Sequence, residues 1–254
     1  LLARYGVRAT FFTVGETAEA HPRLMARLVA EGHEVGFHGW THTPLWELTP
    51  VSFQAEVGRF LAWRDAHFPT TPILGYRAPT FSLDEKTVWA VQILREAGFA
   101  YDASIFPAAT PLYGVADAPR TPYLLADEAG VYLRGEKSAT PQGRPLYELP
   151  MSVFPFLGRR FGYTGGLYLR VLPYQGVAFL LKRARRPALF YIHPWEADAG
   201  TPRLPLSRWG RFVLYSGLPV LHKLERLLRT FQFGTVTEVY GLWGIINADE
   251  SIPR

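Results

Sequence analysis

Two histidines four positions apart, in His38-Gly39-Trp40-Thr41-His42, can turn two imidazole nitrogens toward one divalent ion. A third histidine closes a distant apolar run, Phe190-Tyr191-Ile192-His193-Pro194-Trp195-Glu196. Imidazole ligates metals and also moves protons near neutral pH, so the three residues point to metal binding, general acid–base work, or both. A catalytic site of the zinc type uses three protein ligands and one open position, and two histidines with a carboxylate form one common set. No Asp or Glu stands at the end of an apolar run ahead of His38. Glu16 and Glu19 follow the first such run and read as the opening of a helix. With no cysteine in the chain, thiolate ligands, a cysteine nucleophile and disulfides are excluded.

The histidines need a scaffold that ends strands at one place. Ala9-Thr10-Phe11-Phe12-Thr13-Val14 is β-rich, and His21 to Ala30 reads as a helix with Pro22 in its first turn and Leu24, Leu28 and Met25, Val29 at i, i+4. Gly32 stops it before the strand that leads to His38. Thr49 and Pro50 open another helix with the stripe Phe53, Val57, Phe60, Leu61, and Pro72 to Arg77 follows as a strand. Ser82-Leu83-Asp84-Glu85 has capping-box spacing ahead of Val88, Val91 and Leu94, and Phe99 to Asp102 is the next strand. Such alternation predicts a mostly parallel sheet covered by helices, with chemistry at the carboxyl ends of its strands. His38, His42, Arg77, Asp102 and His193 all fall at such ends.

Residues 107–145, rich in Pro, Gly and Ala, break the rhythm. They read as an insertion, either a lid or a packed loop, with a small hairpin near Val131-Tyr132-Leu133. Tyr147 to Val153, a helix near Pro173 to Ala184, the strand ending at His193, a helix near Pro219 to Phe231 and a strand Gly234-Thr235-Val236-Thr237 bring the count to about seven strands. One domain is expected over 1–254, with 146–254 as its C-terminal part.

The bulk composition, 254 residues of which 48% are hydrophobic and 19% charged, suits one α/β domain with a substantial core. The net charge of +5 leans toward anionic partners, although Lys and Arg read as spread along the chain, which favours a solvated basic surface. No nucleic-acid partner is expected. No apolar stretch is long enough to cross a bilayer, and no leader pattern is visible. Leu218, Leu221, Leu224, Leu227, Leu228 and Phe231 form a stripe beside His222, Lys223, Arg226 and Arg229. That stretch reads as a docked helix or as a basic amphipathic helix lying on an anionic membrane. Leu1 to Gly6 reads as the last turn of a helix, so the chain is expected to begin inside an element.

Taken in order, Thr10-Phe11-Phe12, Gly32-His33-Glu34-Val35-Gly36-Phe37-His38 with His42, Gly75-Tyr76-Arg77-Ala78-Pro79 and Tyr101-Asp102-Ala103-Ser104 resemble successive motifs of the polysaccharide deacetylases, the chitooligosaccharide-deacetylase-like hydrolases of the NodB-homology type. Glu148-Leu149-Pro150-Met151-Ser152, Gly165-Gly166 with Leu172-Pro173-Tyr174, and the segment around His193 resemble the subgroup associated with bacterial exopolysaccharide loci. The resemblance implies a distorted (β/α) barrel of about seven strands with its first strand missing. It also implies metal-dependent removal of N-acetyl groups from a polysaccharide or oligosaccharide. His38 and His42 would hold one divalent ion, zinc, with cobalt or nickel as alternatives. His193 would be the general acid, Arg77 would hold the catalytic base and Asp102 would orient His193. Trp40, Tyr76 and Trp195 flank the site as candidates to stack on a sugar. The family's first motif, an acidic pair supplying the base and the third ligand, has no counterpart and belongs ahead of Ala9. An active hydrolase is expected to carry it; without it the reading becomes a degenerate glycan-binding or scaffold protein of a polysaccharide assembly system.

Overall fold

The β-rich run around Phe11 forms β1 (Thr10–Thr13), and after two short helices, α1 (Gly15–Ala20) and α2 (Pro22–Ala30), the chain returns as β2 (Glu34–Phe37). The computed structural model describes residues 1–125, 144–184 and 187–242. Strands β1 and β2 run parallel, with Thr10 opposite Glu34 and Thr13 opposite Phe37. Next come α3 (Pro50–His67), β3 (Gly75–Tyr76), α4 (Trp89–Glu96), β4 (Tyr101–Asp102), β5 (Tyr123–Leu124) and β6 (Tyr147–Glu148). The sheet order is β1-β2-β3-β4-β6-β5, parallel throughout except for β5 against β6. This is the expected α/β alternation. Among the described residues the sheet is open and six-stranded. The hairpin foreseen near Val131-Tyr132-Leu133 lies outside the described residues.

Helix α3 shows why the sequence folds this way. Thr49 caps it, accepting the Ser52 N–H, and Pro50 occupies the first turn, where no N–H is needed. Phe53, Val57 and Phe60 recur at helical spacing and are buried against the sheet, Phe60 stacking on Phe37 at 4.5 Å. Burial of each such side chain contributes about 1.5–3 kcal/mol. The other expected capping box is not used. Ser82 Oγ accepts the Leu45 N–H at 2.9 Å, Asp84 Oδ1 accepts the N–H groups of Lys86 and Thr87, and α4 starts only at Trp89.

At the other end of the chain the expected strand Gly234 to Thr237 is instead the start of α10 (Val236–Leu242). Thr235 and Glu238 form the capping box: the Glu238 N–H donates to Thr235 Oγ1 and the Thr235 N–H to Glu238 Oε2, both at 3.1 Å. The β-branched residues are therefore helix-opening residues. Glu34 ties this helix to the sheet, accepting from Thr10 Oγ1, Tyr101 Oη, and both the N–H and the hydroxyl of Thr237 at 2.7–3.0 Å. Glu34→Ala is expected to lower stability by roughly 3 kcal/mol, because it leaves four donors short of an acceptor. A urea midpoint unchanged by that substitution would refute the hub.

The chain clusters into two compact units. Arg8–Pro150 with Gly234–Arg254 make up the sheet unit, and Leu1–Val7 with Met151–Phe233 a second, mainly helical unit. The helical unit contains the antiparallel hairpin β7 (Val153–Phe156) and β8 (Arg159–Gly162), then α5 (Gly166–Val171), α6 (Tyr174–Arg183), α7 (Pro194–Ala197), α8 (Arg208–Tyr215) and α9 (Leu221–Thr230). The strand expected before His193 is a single parallel bridge of Tyr191 to Gly165, where a Cβ would run into the Tyr191 carbonyl.

Helix α9 is docked. Its Leu224, Leu227 and Leu228 are buried, and Leu227 joins the core of Leu169, Val177 and Val220. Lys223 Nζ donates to the carbonyls of Leu169, Arg170 and Leu172 at 3.0, 2.6 and 2.9 Å, capping the end of α5, and burial lowers its pKa. Of the two readings of this stretch the docked helix is the one seen for Leu224, Leu227 and Leu228, while Leu221 stays exposed. Nor are the charges evenly spread. The helical unit has fourteen Lys and Arg against three Asp and Glu, a net +11, and the sheet unit thirteen against nineteen, a net −6. Among the described residues no helix is long and apolar enough to cross a membrane.

Candidate functional site

Four strands of the sheet unit deliver polar groups at their carboxyl ends: His38 after β2, Arg77 after β3, Asp102 in β4 and Glu148 in β6. His38 Nδ1 lies 2.6 Å from the Arg77 carbonyl oxygen. A carbonyl only accepts, so Nδ1 carries a proton and donates. Metal-bound histidines are oriented in this way, their second nitrogen donating to a backbone carbonyl or carboxylate. The His42 ring meets His38 edge-on, 4.9 Å between centroids. His42 has φ +62, a left-handed conformation uncommon for a residue with a side chain, and it sits in a loop pinned by His38 N–H to Thr13 O and Trp40 N–H to Glu56 Oε2.

Among the described residues no group of three His, Cys, Asp or Glu could hold a metal ion. Glu19 pairs with Arg59 at 3.1 Å, and Glu16 lies in the first turn of α1. The donor set present thus suits a divalent ion at two positions, with the imidazole at one of them oriented by a backbone carbonyl.

Arg77 is nearly buried, its Nε donating to Ala103 O at 2.9 Å and its guanidinium lying 4.4 Å from the centre of the Phe12 ring. Asp102 is fully buried and accepts the hydroxyl and N–H of Ser104 at 2.5 and 3.1 Å, while Ser104 Oγ takes the Ala78 N–H. Glu148 stands opposite Asp102 in the ladder, equally buried, with Oε1 on the Ile105 N–H at 3.0 Å. Burial pushes the Glu148 carboxyl well above the ordinary range and the Asp102 charge adds to it; burial raises Asp102 too, against its hydrogen bonds with Glu148 and Ser104 and the Arg77 charge. Of the two, Glu148 is the carboxyl pushed further up.

The sequence reading passed over Glu148, although an acid inside Tyr147-Glu148-Leu149 was the signal. A carboxyl whose folded pKa is raised contributes stability that is full below its unfolded value and is lost as pH rises through the folded one. Glu148→Gln, which mimics the protonated form, is expected to flatten the fall of Tm with rising pH above the ordinary carboxylate range. An unchanged Tm-against-pH slope would remove Glu148 as its source.

Two of the proposed sugar platforms are core residues. Tyr76 is fully buried, 5.6 Å from Phe37 and 5.4 Å from Phe53 between ring centres, and burial raises its hydroxyl pKa. Trp40 is 3% exposed, covered by the Arg59 guanidinium at 3.8 Å and packed on Gly15, where any Cβ would clash with the indole. Neither ring face is open to a sugar.

In the helical unit His193 is half exposed and its partners are buried. Nδ1 lies 3.0 Å from Glu196 Oε2, which also accepts the His193 N–H at 2.8 Å; Glu196 Oε1 is 2.6 Å from Arg170 Nε. The rest of the Arg170 fork donates to the carbonyls of Val213, Leu214 and Ser216 at 2.6–3.0 Å. Burial pushes Glu196 up, yet the His193 side-chain and backbone hydrogen bonds and the charges of His193 and Arg170 bring its carboxyl below the ordinary range. Facing a carboxylate, Nδ1 donates, and Nε2 is the nitrogen left for chemistry. Half-buried Trp195 stacks on the imidazole at 5.6 Å with 21° between planes. The carboxylate that meets the His193 imidazole here is Glu196, three residues on, while Asp102 accepts from Ser104. Sequence reasoning missed Arg170 and Glu196; the His193-to-Glu196 spacing at a helix start was the available sign.

Residues 1–101 match the family model described as polysaccharide deacetylase, and residues 103–241 match a domain of unknown function (DUF3473). Residues 1–101 thus carry a domain of the polysaccharide deacetylase family. The chain is 38% identical over 76 residues to the peptidoglycan-N-acetylglucosamine deacetylase PgdA of Listeria monocytogenes, covering 28% of this chain and 16% of that protein. It is 42% identical over 57 residues to the chitooligosaccharide deacetylase of Bradyrhizobium sp., covering 22% and 26%. The matches thus span about a quarter or less of these relatives. A crystal structure from Mycobacterium smegmatis, of a protein assigned to the polysaccharide deacetylases, covers 100% of this chain and 76% of its own with a TM-score of 0.58 at 19% identity, a likeness of fold.

Proposed function

We propose that this chain carries the histidine machinery of a deacetylase that removes N-acetyl groups from a polysaccharide or oligosaccharide, within a distorted (β/α) barrel. The observation that supports it most is the His38 imidazole, oriented by its Nδ1 hydrogen bond to the Arg77 carbonyl and set edge-on to His42. His38 and His42 would hold a divalent ion, zinc with cobalt or nickel as alternatives, which when bound polarises the amide carbonyl and acidifies a water. His193 protonates the departing amine through Nε2, because an amide nitrogen leaves only as the neutral amine. Glu196 steadies the imidazolium, Arg77 supports a carboxylate base, and Trp195 offers its ring to the sugar. The names of the two relatives, a peptidoglycan-N-acetylglucosamine deacetylase and a chitooligosaccharide deacetylase, support an N-acetylated glycan as substrate, and the motif likeness supports a place in exopolysaccharide modification.

The test is acetate release from N-acetylated oligosaccharides with zinc, cobalt or nickel supplied. Turnover that is lost in His38→Ala supports the reading, and its absence across a panel of such substrates defeats it. Titration with zinc is expected to give one site, with affinity reduced at least about tenfold by His38→Ala or His42→Ala, since ligand loss weakens metal binding by more than changes around the ligands do. The second reading, a glycan-binding scaffold, is favoured by the lack of a three-donor group among the described residues. It predicts saturable glycan binding with no acetate released.

A further inference from the structure

The helical unit combines its charge with uncovered apolar side chains. On α8, Trp209 is 69% exposed and stacks at 5.6 Å on Phe212, which is also exposed, one helical turn away on the same face. Ser207 caps this helix, its Oγ accepting the Gly210 N–H. Arg203, Arg208 and Arg211 line a cavity of about 540 Å³ together with Phe212 and the exposed Leu204. The turn of the β7–β8 hairpin repeats the combination. Phe156 is exposed, Leu157 is 86% exposed, and Arg159 and Arg160 follow immediately. Leu157 has φ +48 and Gly158 φ +73, a turn geometry that favours Asn or Gly at the first position over leucine.

We propose that the helical unit docks on an anionic lipid surface, with the α8 aromatics and the hairpin tip entering the interface and the arginines meeting the headgroups. Charge complementarity argues for it: a net +11 unit gains from a negative leaflet, and each basic residue near the surface contributes. A soluble polyanion, whether glycan or nucleic acid, would satisfy the arginines but leave Leu157, Phe156 and Leu204 in water. An interface takes both, as membrane-surface segments do with Trp, Phe and Leu beside Arg. The docking surface is separate from the deacetylase reading and stands without it.

The whole chain is sedimented with vesicles of phosphatidylcholine, with and without phosphatidylglycerol, and with vesicles containing brominated lipid. The expected result is binding only where phosphatidylglycerol is present, weakened by salt, and quenching of tryptophan fluorescence that falls in Trp209→Phe. Arg208→Gln with Arg211→Gln is expected to weaken binding about 25-fold, roughly fivefold per arginine. Trp209→Ala with Phe212→Ala and Leu157→Asp probe the two apolar contacts; these side chains are exposed, and circular dichroism checks that the fold is kept. Loss of binding in either apolar set supports the surface. Retention in both, binding equal to that on dextran sulfate or DNA beads without bromolipid quenching, or no binding to anionic vesicles overturns it.

Discussion

Replacing His193 with alanine is expected to slow acetate release by about 10²- to 10⁴-fold, the range a positioned general acid contributes. The loss falls on kcat, because protonation of the departing nitrogen develops in the transition state and adds little to ground-state binding. Glu196→Gln is expected to give a smaller loss with a distinct signature. The carboxylate in place now requires Nδ1 to donate, whereas an amide can itself donate to Nδ1, which moves the imidazole proton to Nε2 in the neutral ring. Nitrogen NMR of His193 reads that tautomer change directly, without any activity assay. A His193→Ala enzyme as fast as the parent removes the acid assignment. An unaltered tautomer in Glu196→Gln removes the orienting role.

Arg170→Ala is expected to lower folding stability by about 3–5 kcal/mol, the cost of leaving a buried partner charge uncompensated. Arg170 and Glu196 have side-chain exposures of 3% and 1% and meet at 2.6 Å. The same fork serves three carbonyls at the end of α8, so truncation strands those as well. Lysine keeps the charge but not the fork, and Arg170→Lys should recover only part of the loss. Arg170→Met together with Glu196→Leu is expected to restore most of the stability while abolishing the His193 coupling, because apolar replacement of a whole buried pair is often neutral. The Glu196 carboxyl is held below its ordinary range, so its contribution is present above the usual carboxylate pKa and disappears as pH falls through the folded value. A urea midpoint for Arg170→Ala within experimental error of the parent would overturn this account.

Much of the sheet unit was legible because periodicity and end signals agreed. The stripe of α3, Pro50 after Thr49, and strand ends at His38, Arg77 and Asp102 all appear where the sequence places them. Where one signal stood alone it misled. Ser82-Leu83-Asp84-Glu85 has the spacing of a capping box but gives Ser82 to Leu45, while Thr235-Val236-Thr237-Glu238 has the same spacing hidden under β-branched residues and forms one. Trp40 lies between the candidate ligands and Tyr76 beside Arg77, yet the contact with Gly15 and strand alternation, respectively, send their rings into the core. Arg170 could not be found by motif, since its role depends on carbonyls 43 to 46 positions away. The boundary after Pro150 carries no linker-like composition; charge per segment marks it, once the sign is counted on either side.

That division has a practical side. A net +5 describes a mildly basic protein, but it is the difference between a unit of +11 and one of −6. Such a chain should be held by cation-exchange resin more firmly than its overall charge suggests and should elute late and broadly. Its solubility should rise with added salt as screening quiets attraction between the oppositely charged units of neighbouring molecules.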